Sequence, residues 1–163
     1  MSHIDYYGPG ELHITGIQTA AECDKSRFDR IISVCQDSIG DNVPQDIGYS
    51  HYCMSDGTPS VEKEYGGRCD YQIFEQASDE LQWALKEGEP VLVHCHNGTS
   101  RSVSVATAAL GARLGLTRSE ALGLIHYYRP REKYPNSLLM SHARRYISEH
   151  TDVSDIPFTG LDN

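Results

Sequence analysis

The run Val91-Leu92-Val93-His94-Cys95-His96-Asn97-Gly98-Thr99-Ser100-Arg101-Ser102 leaves few folds open to this chain. Its first residues are apolar without alternation, which reads as a strand covered on both faces. A loop containing Gly98 follows, and then residues 102–114, apolar on most sides, read as a helix buried against the sheet. Strand, tight loop and buried helix in direct succession imply an α/β domain with a mostly parallel central sheet flanked by helices. Ligands of such folds sit at the carboxyl ends of the strands. Cys95 lies at such an end, and Arg101 stands six positions on.

The loop has its own chemistry. Five residues between Cys95 and Arg101 are enough to curl the backbone round one tetrahedral anion, with successive N–H groups turned inward. Gly98 gives the freedom that a sharp curl needs. The following helix adds its unpaired N–H groups and the positive end of its dipole. Arg101 can grip two anion oxygens with a planar fork that lysine lacks. A thiol on the floor of such a cradle is a nucleophile, so the pattern implies attack on a phosphate ester through a cysteinyl-phosphate.

Read as His-Cys-x5-Arg-Ser, residues 94–102 resemble the signature of the cysteine-dependent protein tyrosine phosphatase superfamily, and most closely its small dual-specificity phosphatases. Residues 49–56 resemble the strand that delivers that family's general acid, and residues 70–93 its helix and active-site strand. Arg129-Pro130 and Pro135-Asn136 resemble the connection before its last helix, so the likeness runs over about residues 10–150. The resemblance implies a dual-specificity-phosphatase-like single domain and no metal or cofactor. It makes Cys95 the nucleophile and gives phosphate binding to Arg101 with His96, Asn97, Gly98, Thr99 and Ser100. Ser102 matches the family hydroxyl that hydrogen-bonds the sulfur and eases its departure.

A leaving alkoxide or phenoxide needs a proton, and a positioned carboxyl contributes about 10²–10⁴-fold. Asp56 is the preferred candidate: it follows a strand, sits in a loop with Gly57 and Pro59, and precedes Cys95 by 39 residues. The insertion at residues 61–67 lengthens that interval and leaves Asp70, 25 residues before Cys95, as the rival. Asp70 is otherwise expected to cap the following helix.

Substrate choice is less constrained. None of His96, Asn97 and Thr99 is the lysine that the resemblance associates with phosphoinositide relatives. A net charge of −9 opposes non-specific attraction to nucleic acid or anionic membrane. Arg129, Arg131 and Lys133 read as a basic cluster at the pocket's border, with Tyr127, Tyr128 and Tyr134 as candidates to line it. The expected partner is a phosphorylated protein or peptide, phosphotyrosine first with some phosphoserine or phosphothreonine, and neither nucleic acid nor membrane. Alternatives are a catalytically silent phosphate-binding module, a phosphatase of non-protein esters, and a sulfur-transfer or arsenate-reducing enzyme. Oligomeric state is left open.

A length of 163 residues suits one domain, with residues 1–150 catalytic and 151–163 a frayed tail. No leader is evident, the apolar run at residues 103–110 is too short for a bilayer, and a cytoplasmic protein is expected. Five cysteines without CxxC pairs fit reduced thiols. His94-Cys95-His96 invites a zinc reading, but three adjacent residues cannot all face one ion. Cys35 and Cys53 end predicted strands and are candidates to trap an oxidised Cys95, although ordinary cysteines would fit as well. The remaining pattern predicts strands at 12–14, 30–35 and 49–54 and helices at 19–26 and 70–87. Two more helices open at a Thr117…Glu120 capping box and at Asn136.

Overall fold

Strand-forming runs in this chain are short, and those at 12–15, 30–33 and 91–94 are almost wholly buried, as in a sheet with cover on both faces. The computed structural model describes residues 2–4, 11–130 and 133–151. Along the chain these form β1 (Ser2–Ile4), β2 (Leu12–Thr15), α1 (Ile17–Glu22), β3 (Arg30–Ser33) and β4 (Gly48–His51). Then come α2 (Pro59–Tyr65), α3 (Tyr71–Glu87), β5 (Val91–His94), α4 (Arg101–Leu114), α5 (Arg118–Tyr128) and α6 (Ser137–His150). The sheet order is β1-β2-β5-β3-β4. The last four strands in that order run parallel, and β1 is added antiparallel to β2. β5 therefore lies mid-sheet, with Val93 level with Ile14 on one side and Ile32 on the other.

Alternation along the strands splits the core into two layers. Ile32, Val91 and Val93 face the larger cluster formed with α3, α4, α5 and α6. Ile31 and Leu92 face the smaller one, with Ala20 of α1, Phe28, Ile39 and Ile47. α4 is the hub. All of it except Arg101 and Arg113 is buried. Ala106, Ala108, Ala109 and Ala112 keep it slim, so that α3, α5 and α6 can pack around it.

Local signals account for the helix ends. Asp70 accepts from the Ile73 N–H at 3.1 Å and caps α3. Thr117 and Glu120 form the reciprocal capping box of α5, and the Asn136 side chain caps α6. Other expectations need correction. Strands β3 and β4 stop earlier than the β-rich runs do, at Ser33 and His51. The first helix is Ile17–Glu22 rather than 19–26, because Lys25 folds back to donate to the Ala21 carbonyl at 2.7 Å. Residues 61–67, read only as an insertion, lie mostly in α2, with Pro59 in its first turn. Strand β1 was not expected at all. The tail expected to fray lies, past Thr151, outside the described residues. Among the described residues no helix is long and apolar enough to cross a membrane.

Candidate active site

Because β5 is paired on both sides, the chain leaving it emerges at the middle of the sheet edge. Residues 95–100 reverse direction there and feed α4. Several outside groups clamp this loop. Gly98 has φ +71, and a Cβ on it would fall 2.7 Å from the Thr15 carbonyl carbon and 2.8 Å from the Gly16 nitrogen. Only glycine fits both the conformation and the space. The Ile17 N–H donates to the His96 carbonyl at 3.0 Å. The Arg129 guanidinium donates to the Gly98 carbonyl at 2.8 Å, and the Asn136 N–H donates to Ser100 Oγ at 2.8 Å.

Cys95 is 2% exposed. Its Sγ receives the Gly98 N–H at 3.2 Å and lies 3.1 Å from Ser102 Oγ. Above the sulfur is a cavity of about 310 Å³ whose floor includes Asn97, Thr99, Ser100 and Arg101. Its walls come from Asp56 and Thr58 and, from another segment, Lys133, Tyr134 and Asn136. Of the loop residues named from sequence, His96 and Gly98 contribute through their backbone, the first holding Ile17 and the second the sulfur.

Arg101 extends across the site and donates from Nη1 to Gln36 Oε1 at 2.6 Å and to the Met54 carbonyl at 2.9 Å. Gln36 in turn donates to the Gly66 carbonyl at 3.3 Å. Sequence reading passed over Gln36. Its signal was positional: it follows β3 at the same sheet edge at which Cys95 follows β5.

The two carboxylates separate clearly. Asp56 lines the cavity, and its Oδ1 accepts the Thr58 N–H at 2.9 Å. Partial burial pushes its carboxyl up, but hydrogen bonds from Thr58 and the charge of Arg101 outweigh that and hold it below the ordinary value. Residues 53–55 pair with Arg68 as it returns from the insertion. Ser55 N–H donates to the Arg68 carbonyl and Arg68 N–H to the Cys53 carbonyl, each at 2.9 Å. Ser55 Oγ donates to Glu62 of α2 and accepts the Gly57 N–H. The insertion thus braces the acid loop. Asp70, by contrast, is engaged at the start of α3 and by Arg68 at 2.7 and 2.9 Å, away from the cavity lining.

His94 is fully buried, and its tautomer follows from its partners. Nδ1 faces the Cys95 carbonyl at 3.1 Å, an acceptor only, so the proton is there and Nε2 accepts from Ser33 Oγ. Tyr49 then donates to Ser33 at 2.7 Å and receives the Ile39 N–H at 3.0 Å. Burial pushes the His94 imidazole down to about 4. A base depressed from 6.5 favours the native state above pH 6.5, and that contribution is lost as pH falls toward 4. It is worth up to roughly 3 kcal/mol. Urea midpoints are expected to drop between pH 6.5 and 5, with a flatter slope in His94→Gln.

The basic cluster read from sequence breaks up. Arg129 is 4% exposed and lies behind the loop, Arg131 falls outside the described residues, and Lys133 is a cavity wall. Inside the protein the Arg129 guanidinium meets the Gly98 carbonyl. Tyr134 lines the cavity, while Tyr127 and Tyr128 meet edge to face with centroids 5.1 Å apart and are not among its lining residues. All five cysteines are free. Burial pushes the Cys35 thiol up to about 11, and Cys53 is exposed.

The fold recurs in known proteins. Dual specificity protein phosphatase 1B of Arabidopsis thaliana is 33% identical over 73 residues, 45% of this chain and 43% of that protein. Dual specificity protein phosphatase 1 of the same plant is 39% identical over 57 residues, 35% of this chain and 29% of that protein. The chain therefore matches less than half the length of either relative. Among solved structures, human DUSP28 superposes with a TM-score of 0.66 at 20% identity, covering 85% of this chain and 92% of its own. Tk-PTP in its active form gives 0.66 at 19% identity, covering 91% and 97%. At such identities the superpositions speak for the fold. The family described as dual specificity phosphatase, catalytic domain, matches residues 17–146, which span every group placed around the cavity. On that match, the chain belongs to the dual specificity phosphatase catalytic-domain family.

Proposed function

We propose that this protein hydrolyses phosphate monoesters of proteins, phosphotyrosine first and phosphoserine or phosphothreonine beside it, through a cysteinyl-phosphate. The observation that carries this is Cys95 Sγ at the floor of a cavity that also holds Arg101 and Asp56. The thiolate attacks phosphorus while the loop amides and the Arg101 fork hold the equatorial oxygens. Asp56 gives its proton to the departing oxygen and then, as carboxylate, takes one from the water that attacks the cysteinyl-phosphate. Ser102, 3.1 Å from the sulfur, donates to the thiolate as it leaves. Positive charge comes from Arg101 and the backbone, and the proposal includes no metal or cofactor. Tyr134 and Lys133 on the wall suit an aryl phosphate with an acidic flank. Free cysteines and a thiol nucleophile fit a reducing compartment, so we place the protein in the cytoplasm.

The test is phosphate release from a series of aryl phosphates without metal, in native protein and Asp56→Asn. The variant is expected to lose about 10²-fold with poor leaving groups and much less with good ones. Because the free Asp56 carboxyl is held low, kcat/KM of native protein falls as pH rises through its titration, and Asp56→Asn lacks that limb. Asp70→Ala keeps full turnover and loses only its cap, about 1 kcal/mol of stability. Equal losses for good and poor leaving groups in Asp56→Asn would remove it as the acid. No phosphate release by folded native protein would leave the silent binding module.

A further inference from the structure

We infer that Arg129 is a positioning residue that locks the phosphate cradle from behind. The inference rests on the phosphatase reading and adds a residue that the signature does not contain. Arg129 closes α5: its N–H donates to the Ile125 carbonyl at 2.8 Å, and its guanidinium reaches the Gly98 carbonyl at 2.8 Å, fully within the protein. A trans peptide directs its C=O and N–H to opposite sides. Fixing the Gly98 carbonyl toward Arg129 therefore turns the next N–H, that of Thr99, toward the cavity that Thr99 lines. The preceding peptide is fixed as well, since the Gly98 N–H is on Cys95 Sγ at 3.2 Å.

On the side where a Cβ of Gly98 would stand, the loop has no room for retreat. Thr15 and Gly16 backbone atoms would stand within 2.9 Å of a Cβ on Gly98. Gly98 is thus crowded by backbone on its Cβ side and bonded at its carbonyl, and a peptide flip there would break the charge-assisted bond from Arg129 inside the protein. The guanidinium also places a permanent positive charge behind the anion site, where water screens it little. Arg101 grips the phosphate from the front, and Arg129 keeps the amides aimed at it.

The experiment reads alkylation of Cys95 by iodoacetamide, followed by peptide mass, against increasing inorganic phosphate. It is combined with kcat and KM for an aryl phosphate and with melting temperatures. Arg129→Met is expected to raise the half-protecting phosphate concentration roughly 10- to 100-fold. KM should rise with it. Arg129→Lys keeps the charge but loses the planar fork, and should fall between Arg129→Met and native protein at an unchanged melting temperature. If Arg129→Met does not fold, Arg129→Lys carries the test alone: weakened protection supports the inference, and native protection overturns it. Native-like protection in two folded variants overturns it while leaving the phosphatase reading intact. Native Cys95 that phosphate does not protect at all would sink both.

Discussion

Cys95→Ser abolishes turnover, with a loss of at least about 10⁴-fold in kcat, and leaves the cavity able to bind phosphate. The expectation follows from how the sulfur is held. Among the described residues it bonds to the Gly98 N–H, in a loop whose shape is set by Thr15, Gly16, Ile17 and Arg129 and not by the thiol, and to Ser102 Oγ at the start of α4. A serine hydroxyl fits the same space but stays protonated near neutral pH, and among the described residues no base is hydrogen-bonded at that position to take the proton. Phosphate release from an aryl phosphate, paired with phosphate binding by calorimetry, checks both halves. Residual turnover within tenfold of native would show that the reaction does not pass through this sulfur.

The second large effect is expected from Arg101→Lys, about 10³-fold in kcat/KM. Arg101 has two tasks at once. One nitrogen, Nη1, is committed to Gln36 and the Met54 carbonyl, which fixes the direction of the plane. Arg101 also lines the cavity, where the donors left over can form a planar fork across two phosphate oxygens. A lysine has one nitrogen for both tasks, so holding the scaffold and holding the anion compete. The charge is conserved, and steady-state kinetics with an aryl phosphate should nonetheless collapse. A loss below tenfold would mean that charge alone, without geometry, serves the site.

What could be read from sequence was what is local. The cysteine, the arginine and the turn between them sit on one continuous stretch, and the helix caps at Asp70, Thr117 and Asn136 are each written within four residues. The preference for Asp56 over Asp70 followed from the same logic, since a cap is a local device. What escaped depends on contacts between distant segments. Strand β1 exists because β2 offers it an open edge, and nothing in Ser2-His3-Ile4 announces that. α2 was hidden because a longer interval before Cys95 says only that residues are extra, whereas Pro59 and Glu62 give them a start and an anchor. Arg129 reads from sequence as part of a basic cluster at the pocket's border, and its burial against the Gly98 carbonyl is a contact between distant segments that no local pattern signals.

The close approach of Gly98 to the Thr15–Gly16 backbone ties the site to the history of the chain as well as to its chemistry. Residues from the second strand must be docked before the loop has anything to press against, and the loop itself is made some eighty positions later. This close approach joins segments far apart in sequence and is of the kind that forms late, because so much chain must first be ordered. A partly folded molecule would carry the nucleophile without its cradle. Catalytic competence would then arrive together with the last cooperative step, and the Gly98 amide would exchange with solvent only when the whole domain opens.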